Sequence, residues 1–149
     1  MIKIVRTDSK NKDFSNLIIE LDRYLKITDQ DEHEFYNQFN SIDLLNNVII
    51  AYNKNKAVGC GAFKEFNATS VEIKRMFIKP EVRGTGVASE ILSALELWAS
   101  ELNYKTSVLE TGVRQKAAVA FYKKSNYKSI TNYGQYTDKT NSLCFKKII

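Results

Sequence analysis

The run Arg83-Gly84-Thr85-Gly86-Val87-Ala88 is the strongest chemical signal in the chain. It follows a strand-like segment and opens a helical one. The unpaired N–H groups of a first helical turn, with the positive end of the helix dipole, suit an anion. Gly84 and Gly86 carry no Cβ, so backbone can lie directly against a bulky phosphate, and Arg83 adds charge. A P-loop would continue Gly-Lys-Ser/Thr, whereas this loop continues Gly-Val-Ala. A dinucleotide fold would place its fingerprint early, with two βαβ halves after it, and too little chain follows Gly84 for that. The bland alternative is a loop with two accidental glycines. Cys60 and Cys144 have neither metal spacing nor a paired His beside them, so they read as buried, reduced strand cysteines. His33 is the one His and reads as a helix-surface residue, so no metal site is expected.

The segments that must position this loop follow from periodicity. Ile2 to Arg6 alternates as a strand, and Phe14, Leu17, Ile18, Leu21, Tyr24 and Leu25 recur at helical spacing. Asp29 with Glu32 resembles a capping box for a second short helix through Phe35, Tyr36 and Phe39. Strands are predicted over 47–52, 57–66 and 71–78, joined by turns, as an antiparallel meander. Helical spacing then runs from Val87 to Leu102, and Asn103 stops it. A short buried strand at 107–109, a compact helix at 117–124, a strand near 127–131 and a closing strand at 142–148 complete the chain. Strand–helix–strand around the glycine loop implies a parallel pair with a right-handed crossover.

The run VEIKRMFIKPEVRGTGVASEILSALELWA, with SVLETGVRQKAAVAFYKKSNY after it, resembles the GNAT N-acetyltransferase superfamily. Its pyrophosphate-loop pattern, Arg/Gln-x-x-Gly-x-Gly/Ala, is met by Arg83, Gly86 and Ala88. Its later Tyr-x-Lys-x-x-Tyr/Phe pattern is met by Tyr122, Lys124 and Tyr127. A Tyr-Gly-x-Tyr loop found in small bacterial members is matched by Tyr133 to Tyr136. The resemblance is clear over residues 47–149. It implies an α+β fold, with a mixed, mostly antiparallel sheet of six to seven strands flanked by about four helices. It implies acetyl-CoA as co-substrate, with no metal. The pantetheine arm would run along Met76, Phe77 and Ile78, and the diphosphate would rest on Arg83, Gly84, Thr85, Gly86, Val87, Ala88 and Ser89. Gln115 stands where relatives often carry an Asn against the cofactor arm.

Acetyl transfer to an amine needs a base for the ammonium, donors for the tetrahedral oxyanion and an acid for the departing thiolate. Glu72 is the candidate base. It lies four residues before Met76, so the two are expected to share one face of the sheet. Its alternative is a strand Glu facing solvent or paired with Lys74 or Arg75. Main-chain N–H groups at a splayed strand are candidates for the oxyanion. Tyr122 is the candidate acid, since an ordinary phenol keeps its proton at neutral pH. Its alternative is a core aromatic. Glu110, Tyr133 and Tyr136 are candidate acceptor-site residues, with Arg114 nearby. Asp29, Asp31, Glu32 and Glu34 form the densest acidic cluster, which reads either as a lure for a cationic amine or as a helix first turn.

Composition sets the outer bounds. The chain has 149 residues, 44% hydrophobic and 26% charged, as one globular domain would. No apolar run is long enough to span a bilayer, and MIKIVRTDSK lacks the apolar core of a secretory signal, so a cytoplasmic protein without a membrane partner is expected. The net charge of +5 arises in residues 121–149, where six Lys face Asp138 alone. Arg is scarce there and the aromatics sit at turns, so no nucleic-acid partner is expected. The expected activity is transfer of an acetyl group to a small-molecule amine or a protein amino group, directly in a ternary complex. The alternative is a non-catalytic acyl-CoA-binding regulatory module. A homodimer is compatible with either.

Overall fold

The structure is a computed structural model, and it describes residues 1–29 and 45–149. The candidate second helix beyond Asp29, His33 and the acidic residues 31, 32 and 34 lie outside the described residues, and the side chain of Asp29 is not described. Seven strands form one sheet in the order β1-β2-β3-β4-β5-β7-β6. Along the chain these are β1 (Ile2–Thr7), β2 (Asn47–Asn53), β3 (Lys56–Asn67), β4 (Ser70–Ile78), β5 (Thr106–Gly112), β6 (Lys128–Ile130) and β7 (Ser142–Ile148). Three described helices flank it: α1 (Lys12–Asp29), α2 (Val87–Glu101) and α3 (Lys116–Lys124). This is the α+β mixed sheet expected, with one helix fewer among the described residues.

Local chemistry sets these boundaries. Asn11 caps α1, its Oδ1 accepting from the N–H groups of Asp13 and Phe14 at 2.8 and 3.2 Å. The β2–β3 hairpin turns through Lys54 and Asn55, both at positive φ (51° and 68°), as a tight two-residue turn requires. Asn103 ends α2 in the left-handed region at φ 71°, which Asn tolerates better than most residues.

The meander β1 to β4 is antiparallel throughout, and β4–β5 is a parallel pair. The final strand differs from expectation. It does not close the sheet but inserts between β5 and β6, pairing antiparallel with both, so β6 is the edge. Each face of the sheet has its own core. Ile49, Phe63, Val71, Ile73 and Phe145 pack against Val87, Ile91 and Leu95 of α2. Val48, Ile50, Cys60, Ala62 and Phe77 pack against Phe14, Leu17, Ile18 and Leu21 of α1. Cys60 and Cys144 are buried free thiols. Among the described residues, no helix is long and apolar enough to cross a membrane.

Candidate functional site

The parallel pairing of β4 with β5 lasts only from Ser70, Val71 and Glu72 to Thr106, Ser107 and Val108. Both strands continue, to Ile78 and Gly112, but apart. A cleft opens in the gap, walled by 72–76 of β4 and 110–112 of β5. Gln115 and Tyr122 of the α3 region, Tyr136, and Leu21 and Leu25 of α1 also line it. The β4 main chain beyond Glu72 therefore has one edge without a strand partner. Such an edge offers N–H and C=O groups to an extended ligand.

A bulge shapes this edge. Cys60 pairs with Phe77 and Ala62 with Lys74, so Gly61 stands opposite Arg75 and Met76 together. Arg75 takes φ 59°, unusual for a side-chain-bearing residue, and its carbonyl accepts from the Cys60 thiol at 3.5 Å. Gly61 stands in a crowded place. A Cβ there would collide with the Met76 sulfur and would stand 2.9 Å from Leu95 and 3.0 Å from Ile91. The extra residue also shifts the alternation of the strand. Met76 packs toward α2, whereas Glu72 lies opposite Lys64, on the face of Cys60 and Ala62 that turns toward α1. The expectation that Glu72 and Met76 share a face fails for this reason. They meet only as walls of the same cleft.

Glu72 is 3% exposed, so it is no solvent-facing strand residue. Its Oε2 accepts from the Tyr133 hydroxyl at 2.8 Å, and its Oε1 lies 3.9 Å from Lys64 Nζ. It thus forms an ion pair with Lys64 on β3. Tyr133 is itself held by rings, with Phe66 at 4.8 Å and Tyr136 at 5.9 Å. Burial and then the Glu72 carboxylate push the Tyr133 phenol well above its ordinary pKa. Tyr133 stands behind Glu72, not on the cleft wall. Tyr136, reached through the turn Gly134–Tyr136, is buried on that wall.

Tyr122 is 7% exposed and packs on Phe121 and Tyr127, with ring centroids 5.2 and 5.8 Å away. It belongs to the core and lines the cleft at once. Burial, reinforced by the charge of Glu110, raises its pKa well beyond 10. It therefore remains a proton donor across the neutral and mildly basic range. Glu110 lies within β5, where a loop position was expected, and faces the cleft. Gln115 is the N-terminal cap position of α3 and lines the cleft.

The glycine loop lies past the end of β4. Gly84 and Gly86 take φ 79° and 89°, and Gly86 is the residue before α2. A Cβ at either would meet nothing within 4 Å, so backbone conformation, not crowding, selects glycine here. The first intrahelical bond runs from the Glu90 N–H to the Gly86 carbonyl at 3.1 Å. The N–H groups of Val87, Ala88 and Ser89 precede it and have no intrahelical acceptor. The Thr85 hydroxyl donates to the Val82 carbonyl. Arg83 folds back: its Nε donates to the Ile78 carbonyl at 3.0 Å, and its guanidinium stands near Phe77 and Tyr24. Of the three β4 residues expected beside an arm, Met76 lines the cleft, while the side chains of Phe77 and Ile78 pack toward α1 and α2.

Lys74 and Arg75 line the cleft and were not among the expected site residues. Two adjacent cations inside a buried strand were the available signal, because regular alternation cannot hide both on one face. Burial lowers the Lys74 pKa, opposed by the charge of Glu72. Among the described residues, no three His, Cys, Asp or Glu side chains group as a metal site.

Comparison with known proteins fits this geometry. The profile of the family described as Acetyltransferase (GNAT) family matches residues 14–127. The chain is 31% identical over 100 residues to an IAA acetyltransferase of Azospirillum brasilense, an alignment spanning 66% of this chain and 65% of that protein. The fold is similar to a crystal structure from Klebsiella pneumoniae, of a protein assigned as an acyl-CoA N-acyltransferase, with TM-score 0.82, 25% identity and coverage of 99% and 97% of the two chains. It is also similar to a PaiA N-acetyltransferase of Thermoplasma acidophilum, solved in complex with coenzyme A. There the TM-score is 0.74, at 17% identity, over 100% of this chain and 99% of that one.

Proposed function

This chain belongs to the acetyltransferase (GNAT) family, and we propose that it transfers an acetyl group from acetyl-CoA to an amine in a ternary complex. One observation carries the reading: the strand partings that open the cleft lie at the same end of β4 as the unpaired N–H groups that open α2. The open space over Gly84 and Gly86 and those N–H groups fit a diphosphate. The free edge of β4 through Met76, Phe77 and Ile78 fits an extended amide-bearing arm.

Acetyl-CoA supplies an activated thioester carbonyl. Around it the chain's own groups divide the work. Glu72, buried and fixed by Tyr133, accepts a proton from the incoming ammonium, directly or through water. Main-chain N–H groups of the bulged strand stabilise the tetrahedral oxyanion. Tyr122 returns a proton to the departing thiolate, its raised pKa keeping it protonated until then. Glu110 and Tyr136 shape the acceptor side of the cleft.

The test is release of free coenzyme A thiol across a panel of primary amines. Turnover above the rate without amine supports the reading. Tight acetyl-CoA binding with no turnover for any amine would instead favour a regulatory module.

A further inference from the structure

Arg75 is the inserted residue of the bulge, and its side chain is 3% exposed. Its Nη2 donates to Asp22 Oδ1 of α1 at 3.0 Å. Its Nε and Nη1 are buried and, among the described residues, accepted by nothing. Asp22 is 39% exposed, so a partly solvated carboxylate faces a dry guanidinium across one contact. Buried cations are normally satisfied in full, and an unfilled donor in a cleft suits an incoming acceptor group. Arg75 lines the cleft, and so do Leu21 and Leu25, which bracket Asp22 in α1. The guanidinium therefore stands at the α1 wall. Lys74, a second buried cation, lines the same stretch. The carboxylate of Glu72 is engaged by Tyr133 and Lys64. Holding Arg75 at a positive φ, where glycine would be easier, keeps its side chain in this place.

We infer that the acceptor carries a carboxylate in addition to its amine, and that Arg75 binds that carboxylate. The inference rests on the proposed transfer reaction for the position of the amine. It narrows the acceptor to amino-acid-like molecules.

Binding, read apart from turnover, tests it. Matched pairs of N-acetylated amino acids and their carboxamides would be titrated calorimetrically into the protein, with and without coenzyme A. The expected result is that at least one acid binds about tenfold or more tightly than its amide, as a charge-assisted bond allows. Arg75→Gln should erase that difference and leave coenzyme A affinity unchanged. Should that variant fail to fold, Arg75→Lys keeps a cation there and should retain part of the preference. Equal binding of acid and amide, no binding of any acid, or a preference that survives Arg75→Gln would overturn the inference. Thiol release separates the two readings: acids that bind without any amine being acetylated would leave the subsite standing and remove the transferase.

Discussion

Tyr122 packs in the core and lines the cleft with one ring, and its proposed chemistry is testable alone. Its buried phenol is held above its usual pKa of 10 by desolvation and by Glu110. A raised pKa means the proton is lost only as pH rises beyond that value. The kcat profile should then stay flat from pH 8 to 10, and a falling limb centred lower would remove Tyr122 as the acid. Tyr122→Phe should lower kcat by roughly 100-fold or more with little change in acetyl-CoA affinity. Glu72→Gln should lower kcat with little change in acetyl-CoA affinity, and an unaltered kcat would make Glu72 a structural partner of Tyr133. The cysteines give a negative control. Burial pushes Cys60 up to about 12 and Cys144 to about 11, which depletes the reactive thiolate. Both should resist alkylation at pH 8 in the folded protein and react after denaturation, as followed by intact mass.

The bulge in β4 is the element on which the site turns. It depends on Gly61, whose missing Cβ leaves room for Met76, Leu95 and Ile91. Gly61→Ala should destabilise the fold by about 1–3 kcal/mol through overpacking, measured by denaturant unfolding. Unchanged stability would mean that the sheet absorbs the methyl group easily. The glycine loop and the periodic helices were legible in the sequence because each depends on local residue type: φ preference, spacing and a stopping Asn. The bulge was not, because it arises where β3, β4 and α2 meet. Without it, strand alternation put Glu72 and Met76 on one face. The Tyr133–Glu72 bond joins residues 61 apart, and only the folded loop brings them together. The insertion of β7 between β5 and β6 was hidden for the same reason.

At the scale of the whole molecule, one topological fact gathers the parts. The β4–α2–β5 crossover is the place where two parallel strands and a helix N-terminus share one end of the sheet. Ligands of such sheets bind at the carboxyl ends of the strands, where loops and helix starts converge. A coenzyme spanning loop and cleft would bridge α1, β4, β5 and α2. At 100 times its dissociation constant, coenzyme A should add about 2.7 kcal/mol of stability. Gly86→Glu puts a carboxylate into the anion cradle and should remove that gain.

The decisive measurement is a crystal structure of the protein grown with coenzyme A. The diphosphate should lie on the main-chain N–H groups of Val87, Ala88 and Ser89, with the pantetheine arm in the gap between β4 and β5. Coenzyme bound on another surface, with that gap filled by protein side chains, would contradict the account.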